Sequence, residues 1–126
     1  MTSAAEAERP RVLVVEDEAL VAFELEDIIS EGGFAVVGPA NALDSALVAA
    51  EREPIDAAVL DINLRGELSF PVAYRLRSRQ IPFFFLTGYV GEIMVPADLQ
   101  GVKVLSKPYQ AQRLLTTLRR LLPNGD

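Results

Sequence analysis

The feature that most constrains the fold is the alternation of short apolar runs with segments of helical character along the chain. The apolar runs resemble buried strands in length and in β-branched or aromatic content, and they occupy residues 11–15, 34–38, 57–61, 82–86 and 102–105. The helical segments are residues 19–31, 42–52, the stretch after Ser69, 90–100 and 110–122. Alternating strands and helices predict an α/β fold, namely a doubly wound five-stranded parallel sheet with helices on both faces.

Capping and helix-breaking residues refine this prediction. Asn41 is placed to cap the second helix, and Ser69 is placed to cap the third. The fourth segment, residues 90–100, contains Gly91 and Pro96, so we predict a weak, short or frayed helix there. The last helix carries a leucine face, made of Leu114, Leu115, Leu118, Leu121 and Leu122.

Composition excludes several classes of function. The 126 residues suit one domain, and the absence of cysteine excludes disulfides and thiolate metal sites. The absence of histidine excludes histidine-based catalysis, a histidine zinc site and a role as phospho-histidine donor. A net charge of −6 disfavours nucleic-acid and anionic-membrane binding, and no apolar run reaches transmembrane length. Residues 1–10 and 123–126 are predicted to be tails. Because residues 1–10 lack signal-peptide features, we expect a cytoplasmic protein.

Polar residues concentrate where the predicted strands end. They are Glu16, Asp17, Asp61, Thr87 and Lys107. The carboxyl ends of parallel strands form the ligand-binding edge of such sheets, so we expect these side chains to meet. Crowded carboxylates need a cation, and oxygen ligands without histidine or cysteine suit Mg²⁺. A carboxylate can also act as a nucleophile and form an aspartyl-phosphate, and Asp61 is the candidate.

Four motifs at these strand ends resemble one family. The segments Val14–Glu18, Val59–Asp61, Leu86–Gly88 and Ser106–Pro108 look like the receiver domains of bacterial two-component response regulators. The resemblance covers about residues 11–122 and implies a flavodoxin-like sheet of strand order 2-1-3-4-5. It also implies that the partners are a sensor histidine kinase or histidine phosphotransferase and a downstream protein.

The resemblance implies a role for each matching residue. Asp61 accepts a phosphoryl group from a phospho-histidine, and Lys107 and Thr87 contact that group. Mg²⁺ is held by Asp17 and Asp61, by the backbone carbonyl of Asn63, and by Glu16 through water. The bond between Lys107 and Pro108 is expected to be cis, which X-Pro bonds permit at low cost.

The chain also departs from the common receiver pattern. The loop at residues 63–67 reads Asn-Leu-Arg-Gly-Glu, and Val104 or Leu105 replaces the usual strand-five aromatic switch residue. Residues 82–89 are similar to the Pro-Phe-x-Phe-Ala-Thr-Gly-Tyr motif of a receiver subgroup, with Leu86 in place of alanine. Since that subgroup often works with kinases of the HWE type, we expect such a kinase as partner and Tyr89 as the switch aromatic.

These observations predict a stand-alone phosphorylation switch rather than an enzyme. Nucleic acid and membrane are not expected as partners, and the oligomeric state is predicted to be a monomer or a weak homodimer. A pseudo-receiver that binds partners without phosphorylation is one alternative. A phosphatase with an aspartyl nucleophile is another, but Asn63 stands where that chemistry needs a second acid. A flavin-binding domain is disfavoured because no Ser/Thr-rich phosphate loop follows the first strand.

Overall fold

The computed structural model describes residues 9–88 and 95–122. Its strands are β1 (Arg11–Val15), β2 (Ala35–Ala40), β3 (Ala57–Asp61), β4 (Asn63–Leu64), β5 (Glu67–Leu68), β6 (Phe83–Thr87) and β7 (Val104–Ser106). Five of them form a parallel sheet in the order β2-β1-β3-β6-β7. Counted in chain order, this is 2-1-3-4-5, so the predicted sheet and its strand order are confirmed. The short strands β4 and β5 form a separate antiparallel hairpin that the sequence patterns did not predict.

Four α-helices lie within the described residues: α1 (Ala19–Glu31), α2 (Leu43–Arg52), α3 (Phe70–Ser78) and α4 (Ala111–Leu121). Within the segment predicted to form a weak helix, residues 95–100 contain only the 3-10 turn Ala97–Leu99. Pro96, directly before this turn, cannot continue a regular helical hydrogen-bond ladder. None of the helices in the described ranges combines the length and apolar character needed to cross a membrane.

Side chains alternate along the central strands between two apolar clusters on opposite faces of the sheet. Leu13, Leu60 and Phe85 point to one face, where they join buried residues of α2 and α3. The strand residues between them point to the other face and join Leu25 and Ile29 of α1 and Leu114 and Leu118 of α4. Helices therefore cover both faces, as predicted, and the strand ends are left open as the edge at which a site can form.

Of the two predicted helix caps, the structure places one at its expected position, and neither helix has a side-chain capping hydrogen bond. The prediction of Asn41 as the cap of α2 is wrong, because Ala42 occupies the N-cap position with extended backbone angles. Ser69 does occupy the N-cap of α3, but its hydroxyl makes no capping hydrogen bond. Its φ of −85° and ψ of 7° are not the extended conformation that lets a side chain reach back to the first turn.

Candidate functional site

The strand register brings the predicted site residues to one edge of the sheet. The residue before Asp61 pairs with the last residue of β1, and Asp61 itself pairs with the residue before Thr87. Thr87 in turn pairs with Ser106, the residue before Lys107. Because all five strands are parallel, the residue that follows β1, Glu16, reaches the same edge. Residues from four segments of the chain therefore meet there.

Three carboxylates form an acidic cluster at this edge. One oxygen from each of Glu16, Asp17 and Asp61 lies within 4.8 Å of the other two. Glu16 is fully buried and Asp61 is 5% exposed, so water screens their charges poorly. Carboxylate oxygens are the donors that a hard divalent cation prefers. The cluster therefore fits Mg²⁺ in both charge and ligand chemistry.

Lys107, the residue after β7, contacts two carboxylates of this cluster. Its ammonium Nζ lies 2.9 Å from Glu16 Oε1 and 3.3 Å from Asp61 Oδ2. Burial lowers the pKa of Lys107, but the hydrogen bonds and charges of the two carboxylates outweigh it and raise the pKa overall. Lys107 is therefore charged at neutral pH, although one positive charge cannot balance three carboxylates.

Both burial and the crowded negative charge act on the pKa of Asp61. Burial, followed by the negative charge of Glu16, raises the pKa of Asp61 from 3.8 to about 7, while Lys107 opposes the shift. At neutral pH about half of this carboxyl would therefore be protonated unless another cation is near. A protonated carboxyl is a poor nucleophile. A divalent cation beside Asp61 would keep the carboxylate ionised and would therefore favour nucleophilic attack by it.

The cluster opens into a pocket of about 430 Å³. Its lining includes Asp17, Asp61, Thr87 and Lys107, together with residues of the hairpin β4–β5. Thr87 is buried at the end of β6. With a volume of about 430 Å³, the pocket can admit a phosphoryl-sized group to the Asp61 carboxylate.

The peptide bond between Lys107 and Pro108 is cis, so that prediction is confirmed.

Asn63 and Tyr89 complete the set of predicted site residues. The side chain of Asn63 is used within the hairpin, because its Oδ1 accepts a 2.7 Å hydrogen bond from the Gly66 backbone N–H. A metal-binding role for its backbone carbonyl stays a prediction. Tyr89, predicted as the switch aromatic, lies outside the described residues.

Sequence reasoning missed one charged residue at the site. Arg65 lines the pocket, and its Nε lies 4.0 Å from Asp17 Oδ2. The signal for its position was present in the chain, because Asn63 and Gly66 are turn-favouring residues between short apolar stretches. Recognising that hairpin would have placed Arg65 at its tip, beside the acidic cluster.

Comparison with known proteins identifies the family. The sequence model of the response regulator receiver domain matches residues 12–119. RegX3, a sensory transduction protein of Mycolicibacterium smegmatis, is 34% identical over 119 residues, which are 90% of this chain and 51% of RegX3. The transcriptional regulatory protein PdtaR of Mycobacterium tuberculosis is 29% identical over 121 residues, which are 93% of this chain and 59% of PdtaR. The chain thus spans about half the length of these curated relatives.

Solved structures agree with this match over almost the whole chain. The solution structure of SdrG from Sphingomonas melonis Fr1 has a TM-score of 0.78 and 38% identity, and the match covers 94% of this chain and 98% of SdrG. A BeF3-activated conformation of SdrG has a TM-score of 0.73 and 36% identity, with 97% and 99% covered. The chain belongs to the response regulator receiver domain family, the signalling switches of two-component systems.

Proposed function

We propose that this chain is a phosphorylation switch that accepts a phosphoryl group on Asp61 with the help of Mg²⁺. One observation carries the proposal: the Asp61 carboxylate lines a pocket, clusters with Glu16 and Asp17, and lies 3.3 Å from the Lys107 ammonium. Receiver domains bind Mg²⁺ at an acidic pocket and partner with histidine kinases or phosphotransfer proteins. Asp61 is therefore the phosphoacceptor that this geometry supports best.

In the proposed reaction, an Asp61 oxygen attacks the phosphorus of a phospho-histidine on the partner. A P–O bond forms while the P–N bond breaks, and the bonding pair stays on the imidazole nitrogen, which takes up a proton. Lys107 lies where its ammonium can pair with a phosphoryl oxygen as a point charge. Thr87 would donate its hydroxyl to another oxygen of the same group.

Asp17 and Asp61 would hold Mg²⁺ directly, with the Asn63 backbone carbonyl as a further ligand and Glu16 acting through water. The fully buried Glu16 already accepts a hydrogen bond from Lys107, which supports an indirect role. When bound, Mg²⁺ offsets the charge that accumulates on the carboxylates and the phosphoryl oxygens. Asp61 would then stay ionised at neutral pH.

The output is proposed to be a change in binding to a partner protein. A phosphoryl group adds a charge of about −1.5 to −2, which can bias a two-state element near the pocket. Thr87 and Tyr89 would act as the switch residues, and a sensor kinase of the HWE type would be the phosphodonor in the cytoplasm.

Intact mass spectrometry tests phosphorylation directly. After incubation with acetyl phosphate and MgCl2, we expect the mass to increase by one phosphoryl group. Asp61→Asn should abolish the gain, whereas Asp27→Asn, a matched change at an exposed position on α1, should keep it. No gain in the wild type would favour a pseudo-receiver binding module. Rapid turnover of unrelated phosphoesters would instead favour the phosphatase alternative.

The switch role of Tyr89 needs its own test. Tyr89→Ala should take up the phosphoryl group at the wild-type rate but should weaken the phosphorylation-dependent capture of the partner. Tyr89→Phe keeps the aromatic ring and removes the hydroxyl group, so it shows which of the two the switch needs. Unchanged partner capture by both variants would remove Tyr89 from the proposed switch.

A further inference from the structure

The tip of the hairpin β4–β5 holds Arg65 in a defined place at the pocket. Arg65 and Gly66 form a two-residue turn, and both have positive φ angles, 53° and 89°. A positive φ at both positions is typical of the tight turns that suit a twisted hairpin. Asn63 Oδ1 secures the turn, and the buried side chain of Leu64 packs into the apolar core beneath it. The backbone of Arg65 is therefore anchored, although arginine is an unusual residue at such a φ.

The side chain of Arg65, by contrast, is poorly constrained. It is 74% exposed, and Asp17 is its one ion-pair partner within the described part of the chain. The 4.0 Å separation is long for an ion pair, and such exposed pairs contribute little stability. Arg65 can therefore leave Asp17 at low cost.

Arg65 and Lys107 are the two cations among the described residues that line the pocket. Lys107 already contacts both Glu16 and Asp61. Arg65 carries five N–H donors in a planar fork that matches phosphate oxygens, and its contact with Asp17 uses only part of that fork. Arg65 therefore has donors to offer to a dianion that arrives at the pocket.

We propose that Arg65 is a movable counter-charge of the phosphorylation site. It pairs with Asp17 while the site holds no metal, and it turns to the phosphoryl group on Asp61 once Mg²⁺ occupies Asp17. This inference rests on the proposed function. Arg65 thereby competes with Mg²⁺ before phosphorylation, and afterwards it shields the aspartyl-phosphate from the attack of water.

Arg65→Asn is the informative substitution, because Asn-Gly is a preferred pair for this turn and the charge is removed without disturbing the hairpin. Titration calorimetry with MgCl2 on the unphosphorylated chain should show about two- to five-fold tighter binding, as expected for the loss of a weak exposed pair. The phosphoryl group, loaded from acetyl phosphate and followed by intact mass, should be lost at least about twofold faster. Arg65→Lys should lie between the wild type and Arg65→Asn in both measurements.

Arg52→Asn, which removes an equal charge at the exposed end of α2, controls for long-range electrostatics. Arg65 acts as proposed only if Arg65→Asn differs from this control in both measurements, with a smaller difference in Mg²⁺ affinity at high salt. Equal Mg²⁺ affinity or equal phosphoryl lifetime in the two variants would make Arg65 a turn residue without a role in the site. If wild type gains no phosphoryl mass at all, the proposed function fails, whereas the Mg²⁺ titration still reports on the pair between Arg65 and Asp17.

Discussion

The Lys107 ammonium donates a 2.9 Å hydrogen bond to Glu16 Oε1, and the glutamate that accepts it is fully buried. The two residues follow β7 and β1, which are separated in the sheet by β3 and β6. This ion pair therefore spans the carboxyl-end edge of the sheet above Asp61. It links the integrity of the site to the stability of the fold.

Replacing Lys107 with methionine should destabilise the fold at neutral pH. The change leaves Glu16 buried without its cation, and breaking a buried pair from one side costs roughly 3 kcal/mol. Denaturant unfolding should show a smaller loss at pH 5, where Asp61, with its raised pKa, is protonated and no longer needs the cation. Glu16→Gln is the matched variant, because it keeps a hydrogen-bonding side chain and removes a charge that raises the pKa of Asp61. Equal losses at pH 5 and pH 7.5 for Lys107→Met would contradict this account.

The raised pKa of Asp61 predicts that stability falls with rising pH. Because the folded chain holds the Asp61 proton up to a pKa of about 7 while the unfolded chain releases it near 3.8, the folded state binds more protons between those values. In metal-free buffer, Asp61→Asn should therefore be more stable than wild type at pH 8, by up to about 4 kcal/mol, and about equal to it at pH 4. Unfolding free energies across this range test the prediction. A constant difference at all pH values would show that Asp61 does not titrate as the structure implies.

Added Mg²⁺ should stabilise the folded chain most at alkaline pH. A ligand that binds only the folded state adds about 2.7 kcal/mol at a hundred times its Kd. The gain in Tm should shrink below pH 6, because protonated Asp61 is a poor ligand. Differential scanning calorimetry with MgCl2, with NaCl at equal ionic strength as control, gives the comparison. In Asp17→Asn most of the gain should disappear, and a gain that survives would place the cation elsewhere.

Gly38 lies in β2 at a backbone position that excludes a side chain. Its φ is +94°, and a Cβ there would lie 2.7 Å from the Ala40 backbone nitrogen and 3.1 Å from the Val14 carbonyl oxygen. Gly38→Ala should cost about 3 kcal/mol, since backbone strain and a clash with backbone atoms add together. Gly33→Ala is the control, because Gly33 has a φ of +97° but open space around it, so only about 1 kcal/mol of strain is expected. Similar losses of stability in the two variants, measured by denaturant unfolding, would show that the clash at Gly38 does not contribute to the loss.

Leu118 tests the predicted leucine face of the last helix. It is fully buried against the sheet, so Leu118→Ala should cost about 2 to 5 kcal/mol through lost burial and a residual cavity. Leu20→Ala removes the same atoms from a side chain that is 83% exposed and should change stability by less than about 0.5 kcal/mol. Comparable effects at the two positions would mean that α4 does not pack on the sheet as described.

Periodicity and composition predicted the parallel sheet with helices on both faces, whereas the family resemblance supplied its strand order. Runs such as residues 57–61 are typical of strands buried on both faces, and the helical segments between them suit the two faces of that sheet. Since parallel strands end at a common edge, the sequence also predicted that Glu16, Asp61, Thr87 and Lys107 meet. The register of the parallel strands places these residues at one edge of the sheet.

The tertiary structure decided what these residues do to each other. No sequence pattern indicates that Lys107 contacts Glu16 more closely than Asp61, or that burial raises the pKa of Asp61 to about 7. Such effects depend on distances of a few ångströms and on how much water is excluded, and both follow from packing between distant segments. The hairpin that carries Arg65 to Asp17 was missed for a different, local reason. Its two-residue strands are too short to show a periodicity, and they are stabilised by the buried Leu64 and a turn with two positive φ angles.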